Sequence, residues 1–251
     1  MLGIITARIQ QGYRTIGFPK KPPVLPKRFR GLPVINQACV DPSCETRVSC
    51  CPVSALAYQS GQVTLDLGRC LFCGECEQAL PKGAITFSND HQLAARDRQA
   101  LVLGRGETVL KAALDAKMQK LFGRSLKLRE VSAGGCNACE ADCNVLTTVV
   151  FDLGRFGIQF VAAPRHADGL LITGPVTRNM ELALQKTYAA VPDPKLVIAV
   201  GACAISGGPY VDQAEIRNGA SSVVPVDVYI PGCPPHPITI LDGLLRALGR
   251  L

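Results

Sequence analysis

Cys136 and Cys139, spaced Cys-x-x-Cys, and the isolated Cys203 and Cys233 each sit in a glycine- or proline-rich turn that follows an apolar run. The turns read Gly-Gly-Cys-Asn-Ala-Cys at 134–139, Gly-Ala-Cys at 201–203 and Pro-Gly-Cys-Pro-Pro at 231–235. Loops from three strand ends can meet at one point. Thiolates that meet outside an oxidising compartment hold a metal ion or an iron–sulfur cluster. A structural zinc is the rival occupant, although zinc knuckles usually come as two Cys-x-x-Cys pairs and this set has one. Glycines at these turns let the backbone approach closely and aim amides at sulfur. Such a set predicts a chain that carries electrons.

A second set lies upstream. Cys70, Cys73 and Cys76 have the x2, x2 spacing of cubane ligands, and Cys51 precedes Pro52. In two-cluster ferredoxins the fourth thiolate comes from the other motif, from a cysteine before proline. Cys51, Cys70, Cys73 and Cys76 thus make one complete [4Fe–4S] set. The reciprocal set is degenerate: the residue before Pro81 is Leu80, and Cys39, Cys44 and Cys50 are spaced x4 and x5. The expectation is that this other cluster is absent or labile, with Leu80 filling its space and the three cysteines left as thiols.

The elements that must position these residues follow from pattern. Residues 1–18 read as a short amphipathic helix with Ile5, Ile9 and Tyr13 on one side, and 19–35 as an extended Pro-, Lys- and Arg-rich segment. Together, 1–35 form an expected docking arm for a protein partner near a membrane. A cysteine-rich unit spans 36–97. It contains an internal repeat, in which residues 50–58 and 79–87 each place a proline, a short apolar turn and a strand. Leu101, Leu110, Leu114 and Leu121 predict a helical linker over 98–125. From 126 to 251, strands are expected at 126–131, 156–162, 168–173, 195–200 and 223–229, with helices at 139–152, 177–191 and 237–248. That alternation predicts an α/β doubly wound parallel sheet of the flavodoxin-like kind, after an α+β ferredoxin-like domain. Ligands of such sheets lie at the carboxyl ends of the strands, where the cysteine loops fall.

Composition narrows the alternatives. The chain has 251 residues, 47% of them hydrophobic, twelve cysteines and a net charge of +7. Disulfide scaffolds are short and secreted; no signal-peptide pattern is evident at Leu2–Ala7 and no apolar run approaches the length needed to span a bilayer. Few aromatics, no Trp and no recognition-helix pattern argue against nucleic acid.

Five segments resemble the small subunit of group 4 membrane-bound [NiFe] hydrogenases, with formate hydrogenlyase the nearest type; the superfamily includes the cluster-bearing 20 kDa subunit of respiratory complex I. They are Gly-Gly-Cys-Asn-Ala-Cys-Glu (134–140), Pro-Arg-His-Ala-Asp (164–168), Thr-Gly-Pro-Val-Thr-Arg (173–178), Gly-Ala-Cys-Ala-Ile-Ser-Gly-Gly (201–208) and Pro-Val-Asp-Val-Tyr-Ile-Pro-Gly-Cys-Pro-Pro (225–235). The resemblance covers 126–251. It implies that Cys136, Cys139, Cys203 and Cys233 ligate one proximal [4Fe–4S] cluster facing a catalytic large subunit. Complex I subunits carry adjacent cysteines at the first site, whereas this chain has Cys-x-x-Cys followed by Glu140, as the hydrogenases do. The matching glutamate implies a proton path; read from the residue alone, Glu140 is a first-turn carboxylate at a helix start. Cys143 has no family role and is expected to pack in the interior. Arg165 and His166 are expected to tune the cluster or hold a subunit interface, and His236 to cap a helix or lie at the surface.

Residues 29–97 resemble the two-cluster ferredoxin-like subunit of formate hydrogenlyase and its complex I counterpart, so two relatives' subunits are fused in one chain. The resemblance implies two [4Fe–4S] clusters and an oxidoreductase role without the catalytic centre. The implied partners are a large catalytic subunit, a further iron–sulfur donor or acceptor subunit and membrane-arm subunits, at the cytoplasmic face of the inner membrane. A related complex lacking nickel and a structural or assembly subunit are the alternatives.

Overall fold

A computed structural model of the chain describes residues 2–104 and 116–251. Its C-terminal half is built on strands β6 (Leu126–Ser132), β7 (Ile158–Phe160), β8 (Gly169–Thr173), β9 (Leu196–Val200) and β10 (Val228–Ile230). All pair in parallel, in the spatial order β7-β6-β8-β9-β10. This is a doubly wound α/β order, and it reverses direction between β6 and β8. The central strands Gly-Leu-Leu-Ile-Thr and Leu-Val-Ile-Ala-Val are buried along their whole length, as continuous apolar runs in a sheet covered on both faces must be. Helices α5 (Ala138–Val145), α6 (Arg178–Ala190), α7 (Ala202–Ser206) and α8 (Pro237–Ala247) follow β6, β8, β9 and β10.

The expected boundaries shift where local chemistry overrides periodicity. The helix expected at 139–152 stops at Val145, where Thr147 and Thr148 donate their hydroxyls to the carbonyls of Asn144 and Val145 and β-branched residues follow. The strand expected at 223–229 is shorter, because Pro225 cannot donate to a ladder and the run begins as a tight turn at Ala220–Ser222.

The N-terminal half is smaller and antiparallel. Strands β1 (Pro33–Ile35) and β4 (Ile85–Phe87) pair with each other. Strands β2 (Leu56–Gln59) and β3 (Gln62–Asp66) form a hairpin that β5 (Val102–Leu103) extends. The repeat seen in the sequence is visible here: β2 follows Pro52 and β4 follows Pro81. Short helices α2 (Cys44–Arg47) and α3 (Glu75–Ala79) carry cysteines between the strands. The helix expected across 98–125 gives way to a tight turn at Gln99–Leu101 and to β5, because Leu101 and Leu103 fill the interior against β3. Among the described residues of that span, α-helix is found at α4 (Ala116–Phe122), in which Leu121 is exposed. Leu110 and Leu114 lie outside the described residues.

The two halves share one apolar core. Val53, Leu65, Leu67, Cys70, Cys76 and Leu101 of the first pack in the same cluster as Ala204, Ile205 and Tyr229 of the second. Ala95 and Tyr229 exchange backbone hydrogen bonds, and the Ser206 hydroxyl donates to the carbonyl of Gly68 at 2.9 Å. Helix α8 is buried on nearly all sides because residues 90–95 cover its outer face; a Cβ on Gly243 would stand 2.9 Å from that of Ala94.

After α1 (Leu2–Gln11), residues 15–18 lie along the chain's own surface. Ile16 donates its amide to Val150, Phe18 is buried, and Arg155 donates to the carbonyls of Ile16 and Phe18.

One half-buried acid carries a pH signature. Burial, and then the charge of Glu140, pushes Glu130 on β6 up to about 7, and its Oε1 is buried without a hydrogen-bond partner. The folded chain therefore keeps this proton to higher pH than the unfolded chain. Stability falls as pH rises from the ordinary glutamate value of 4.5 towards 7, and the loss is complete above that range. Glu130→Gln should raise stability above pH 7, on the order of 1–3 kcal/mol, with little gain near pH 4.5. Denaturant midpoints at the two pH values check this; an equal gain at both would show that the charge is not the cause.

Candidate metal centre

The loops after β6, β9 and β10 bring Cys136, Cys139, Cys203 and Cys233 to the carboxyl edge of the sheet. Cys136 and Cys233 are exposed, Cys139 is half-buried and Cys203 is buried. They come from one end of three strands, as doubly wound topology requires of a ligand site. Their thiols influence one another. Burial first, and then the other cysteines of the set, raises Cys139, Cys203 and Cys233, with Cys203 pushed up to about 12. A donor set that resists ionisation by itself is one whose thiolates need a cationic centre, and binding would release their protons.

Glycines make the approach possible. A Cβ on Gly201 would stand 2.6 Å from Cys139 Sγ, and one on Gly208 would stand 2.8 Å from Cys203 Sγ. Gly201 also has φ +90°, a region that disfavours side chains. Among the described residues no three His, Cys, Asp or Glu side chains close on a point as a single metal ion requires. Cubane thiolates bind different irons and so stand farther apart than the ligands of one tetrahedral zinc, with Zn–S bonds of about 2.3 Å. An all-cysteine donor set with glycine-lined approaches fits a cubane cluster.

Glu140 follows Cys139 and is 6% exposed. Ser132 and Thr173 both donate their hydroxyls to its Oε1, each at 2.6 Å. These are the last residues of β6 and β8 and are register partners. The carboxylate thus pins the two strands at the point where the strand order reverses. Burial works to raise Glu140, but the two hydroxyl bonds prevail and hold it below the usual carboxylate value. It stands as an ionised structural tie beside the cysteine loop.

The second set is also assembled. Cys51, Cys70, Cys73 and Cys76 line one small apolar cleft with Val53, Leu56, Leu65 and Phe87. Backbone amides of Ala55 and Phe72 donate to the sulfurs of Cys51 and Cys70 at 3.2 and 3.3 Å. Burial, with smaller contributions from neighbouring cysteines, pushes Cys70 up to about 12 and Cys76 to about 11.

The structure separates the three leftover cysteines. Cys44 is fully buried in the same apolar core as Leu80. Cys39 accepts from the Asn36 side-chain amide at 3.2 Å and faces Gly83. Cys50 stands beside the other set: burial raises it first, then Cys51, Cys73 and Glu75. A fifth thiol at that site was missed in the sequence, although the Cys50-Cys51 pair was the signal. Cys143 is fully buried in the interior, as expected. His236 caps α8, its Nδ1 accepting from the Ile238 amide at 3.2 Å. Arg165 and His166 are exposed and line a cleft with Asp168, Pro192 and Pro194 at the amino ends of β8 and β9. That is the edge opposite the cysteine loops, so the expectation that they tune the cluster does not hold.

Gly201→Ala should push the Cys139 thiol out of place. The expected result is loss of the iron that this site binds after anaerobic reconstitution, with far-UV circular dichroism unchanged, since a Cβ 2.6 Å from Cys139 Sγ leaves the sulfur no room where it stands. Unchanged iron would show that Cys139 is not held where the site needs it.

Comparison with known proteins agrees with this geometry. The family described as NADH ubiquinone oxidoreductase, 20 Kd subunit, matches residues 136–247. Formate hydrogenlyase subunit 7 of Escherichia coli is 46% identical over 140 residues, which cover 56% of this chain and 55% of that protein. The probable membrane-bound hydrogenase subunit mbhJ of Pyrococcus furiosus is 41% identical over 136 residues, covering 54% of this chain and 81% of that one. An NADH-quinone oxidoreductase subunit of Heliobacterium modesticaldum is 40% identical over 120 residues, covering 47% of this chain and 69% of that one. The match thus spans about half the length of the first of these relatives and most of the second. The chain belongs to the family of complex I 20 kDa subunits and [NiFe] hydrogenase small subunits.

Proposed function

We propose that the chain is the electron-transfer subunit of a membrane-associated oxidoreductase of the formate hydrogenlyase type, holding two [4Fe–4S] clusters. Cys136, Cys139, Cys203 and Cys233 would hold one, and Cys51, Cys70, Cys73 and Cys76 the other. When bound, each cluster supplies a one-electron carrier. The observation that carries the reading is the gathering of the first four cysteines, from three separate loops, on the carboxyl edge of the sheet of a chain in this family.

The protein's own residues supply the rest. Leu71 and Phe72, between Cys70 and Cys73, line one cleft with Gly232 and Cys233. The Ser206–Gly68 hydrogen bond joins the helix of Cys203 to the loop that enters Cys70. These contacts give short apolar and hydrogen-bonded connections between the two sites. Exposed Cys136 and Cys233 leave one edge of the C-terminal site open to a partner, consistent with a large catalytic subunit. Cys73 is exposed too, consistent with exchange with a further iron–sulfur subunit. Glu140, tied to Ser132 and Thr173, lies on the proton path that the family resemblance implies. We assign 36–97 as the ferredoxin-like unit and 126–251 as the small-subunit unit. Among the described residues no helix is long and apolar enough to cross a membrane; membrane-arm subunits at the cytoplasmic face would provide the attachment. The relatives named as NADH-quinone oxidoreductase subunits support a second reading, a nickel-free complex of the same kind. The large subunit separates them, since nickel requires Cys-x-x-Cys pairs at its two ends.

Anaerobic metal analysis should find about eight irons per chain and no zinc, four per complete thiolate set. Cys203→Ser should halve the iron, whereas Cys143→Ser should leave it unchanged and cost about 1–3 kcal/mol of stability through lost burial. One zinc with about four irons would overturn the C-terminal assignment, and twelve irons would show that Cys39, Cys44 and Cys50 hold a third cluster after all.

A further inference from the structure

Residues 2–30 contain Arg8, Arg14, Lys20, Lys21, Lys27, Arg28 and Arg30 and not one acidic residue; the first acid in the chain is Asp41. Every one of these cations is exposed. Large apolar side chains are exposed among them: Ile4 is 75% exposed, Ile5 57%, Ile9 76%, Tyr13 87% and Val24 98%. Ile5 and Ile9 recur at four-residue spacing on one side of α1, which ends at Gln11, and Tyr13 follows just beyond its end. The Arg8 guanidinium lies 4.2 Å from the centre of the Tyr13 ring. The segment then docks on its own chain, with Thr15 donating to the Val149 carbonyl and Ile16 to that of Val150. Val149 and Val150 are themselves 65% and 41% exposed, so the apolar stripe continues onto the body of the protein.

We infer that this segment binds the surface of an anionic lipid bilayer, with the α1 stripe in the headgroup layer and the seven cations against lipid phosphates. Charge complementarity selects the occupant. A basic segment without acids repels a second copy of itself. A protein groove would take one helix face and leave the rest of the segment unmatched. Here the cations continue past the helix, spread along an extended stretch containing Pro19, Pro22, Pro23 and Pro26. A fluid anionic surface accepts charges spread in that way, because lipids rearrange to meet them. Isoleucines and an arginine on one short helix, with a tyrosine just beyond its end, suit an interfacial position, where apolar groups enter the acyl boundary and long cationic side chains reach phosphate. Helices of this length are marginal in water, so docking would stabilise α1 as well as anchor the chain. This contact goes beyond the electron-transfer reading: it needs no cluster and no partner subunit.

The test is co-sedimentation of the full chain with vesicles of phosphatidylcholine alone and with vesicles containing phosphatidylglycerol. Binding is expected only to the second, weakening as salt is raised. Ile5→Glu with Ile9→Glu should weaken it about tenfold or more, because the stripe can no longer enter the interface. Lys20→Glu, Lys21→Glu and Lys27→Glu together should do the same through charge. All five positions are exposed, so the variants should keep the parent's circular dichroism and iron content. A chain that stays in the supernatant with anionic vesicles overturns the inference, and points to an acidic protein surface as the occupant. Equal binding to both vesicle types, or binding that survives both sets of substitutions, overturns it as well.

Discussion

The packing of the cysteine-rich unit against α7 and β10 is the interaction on which the rest of the molecule depends. Leu67 and Cys70 on one side and Ile205 and Tyr229 on the other belong to one apolar core. The backbone pair Ala95–Tyr229 and the Ser206–Gly68 bond run through the same seam. Apolar burial of this kind is the dominant favourable term in folding and is non-directional, while the hydrogen bonds fix the register. Because α7 carries Cys203 and β10 leads into the turn of Cys233, the seam sets the distance between the two cysteine sets. A fused pair of subunits that met only through a linker would leave that distance to chance.

Within each unit the thiols are held against their own chemistry. Burial and mutual repulsion raise Cys70, Cys76 and Cys203 far above an ordinary thiol. The scaffold tolerates this because other interactions fix the loops. Glu140 ties the ends of β6 and β8, glycines admit the sulfurs, and backbone amides face Cys51 and Cys70. The donors stay protonated until a cationic centre binds them, so binding would release their protons and couple metal affinity to pH and to the fold.

Much of this was legible in the sequence. Parallel strands buried on both faces announce themselves as apolar runs, so Leu170–Ile172 and Leu196–Val200 were found within a residue or two of their bounds. Cysteine turns after such runs fall at the carboxyl edge by topology, and the structure puts them there. What escaped was decided by tertiary contact. The strand Val102–Leu103 was hidden in a leucine repeat of helical appearance, because pairing with β3 outweighs propensity. The arm's path over Val150 and Arg155 depends on partners more than a hundred residues away. Cys50 was grouped by spacing with Cys39 and Cys44, yet the turn at Val48–Cys50 carries it to Cys51 and Cys73. Arg165 and His166 lie in a conspicuous motif, but the crossover from β7 to β8 takes them to the far edge of the sheet.

The reading proposed above is that one folded unit holds two redox sites that exchange electrons. Electron paramagnetic resonance of the anaerobically reconstituted, fully reduced chain tests it most directly. Two reduced clusters held across the Leu71–Phe72 and Gly232–Cys233 cleft should broaden each other's signals, and Cys203→Ser should leave the single sharp spectrum of the remaining site. Two unbroadened spectra that simply add, or one spectrum that Cys203→Ser does not change, would contradict the account.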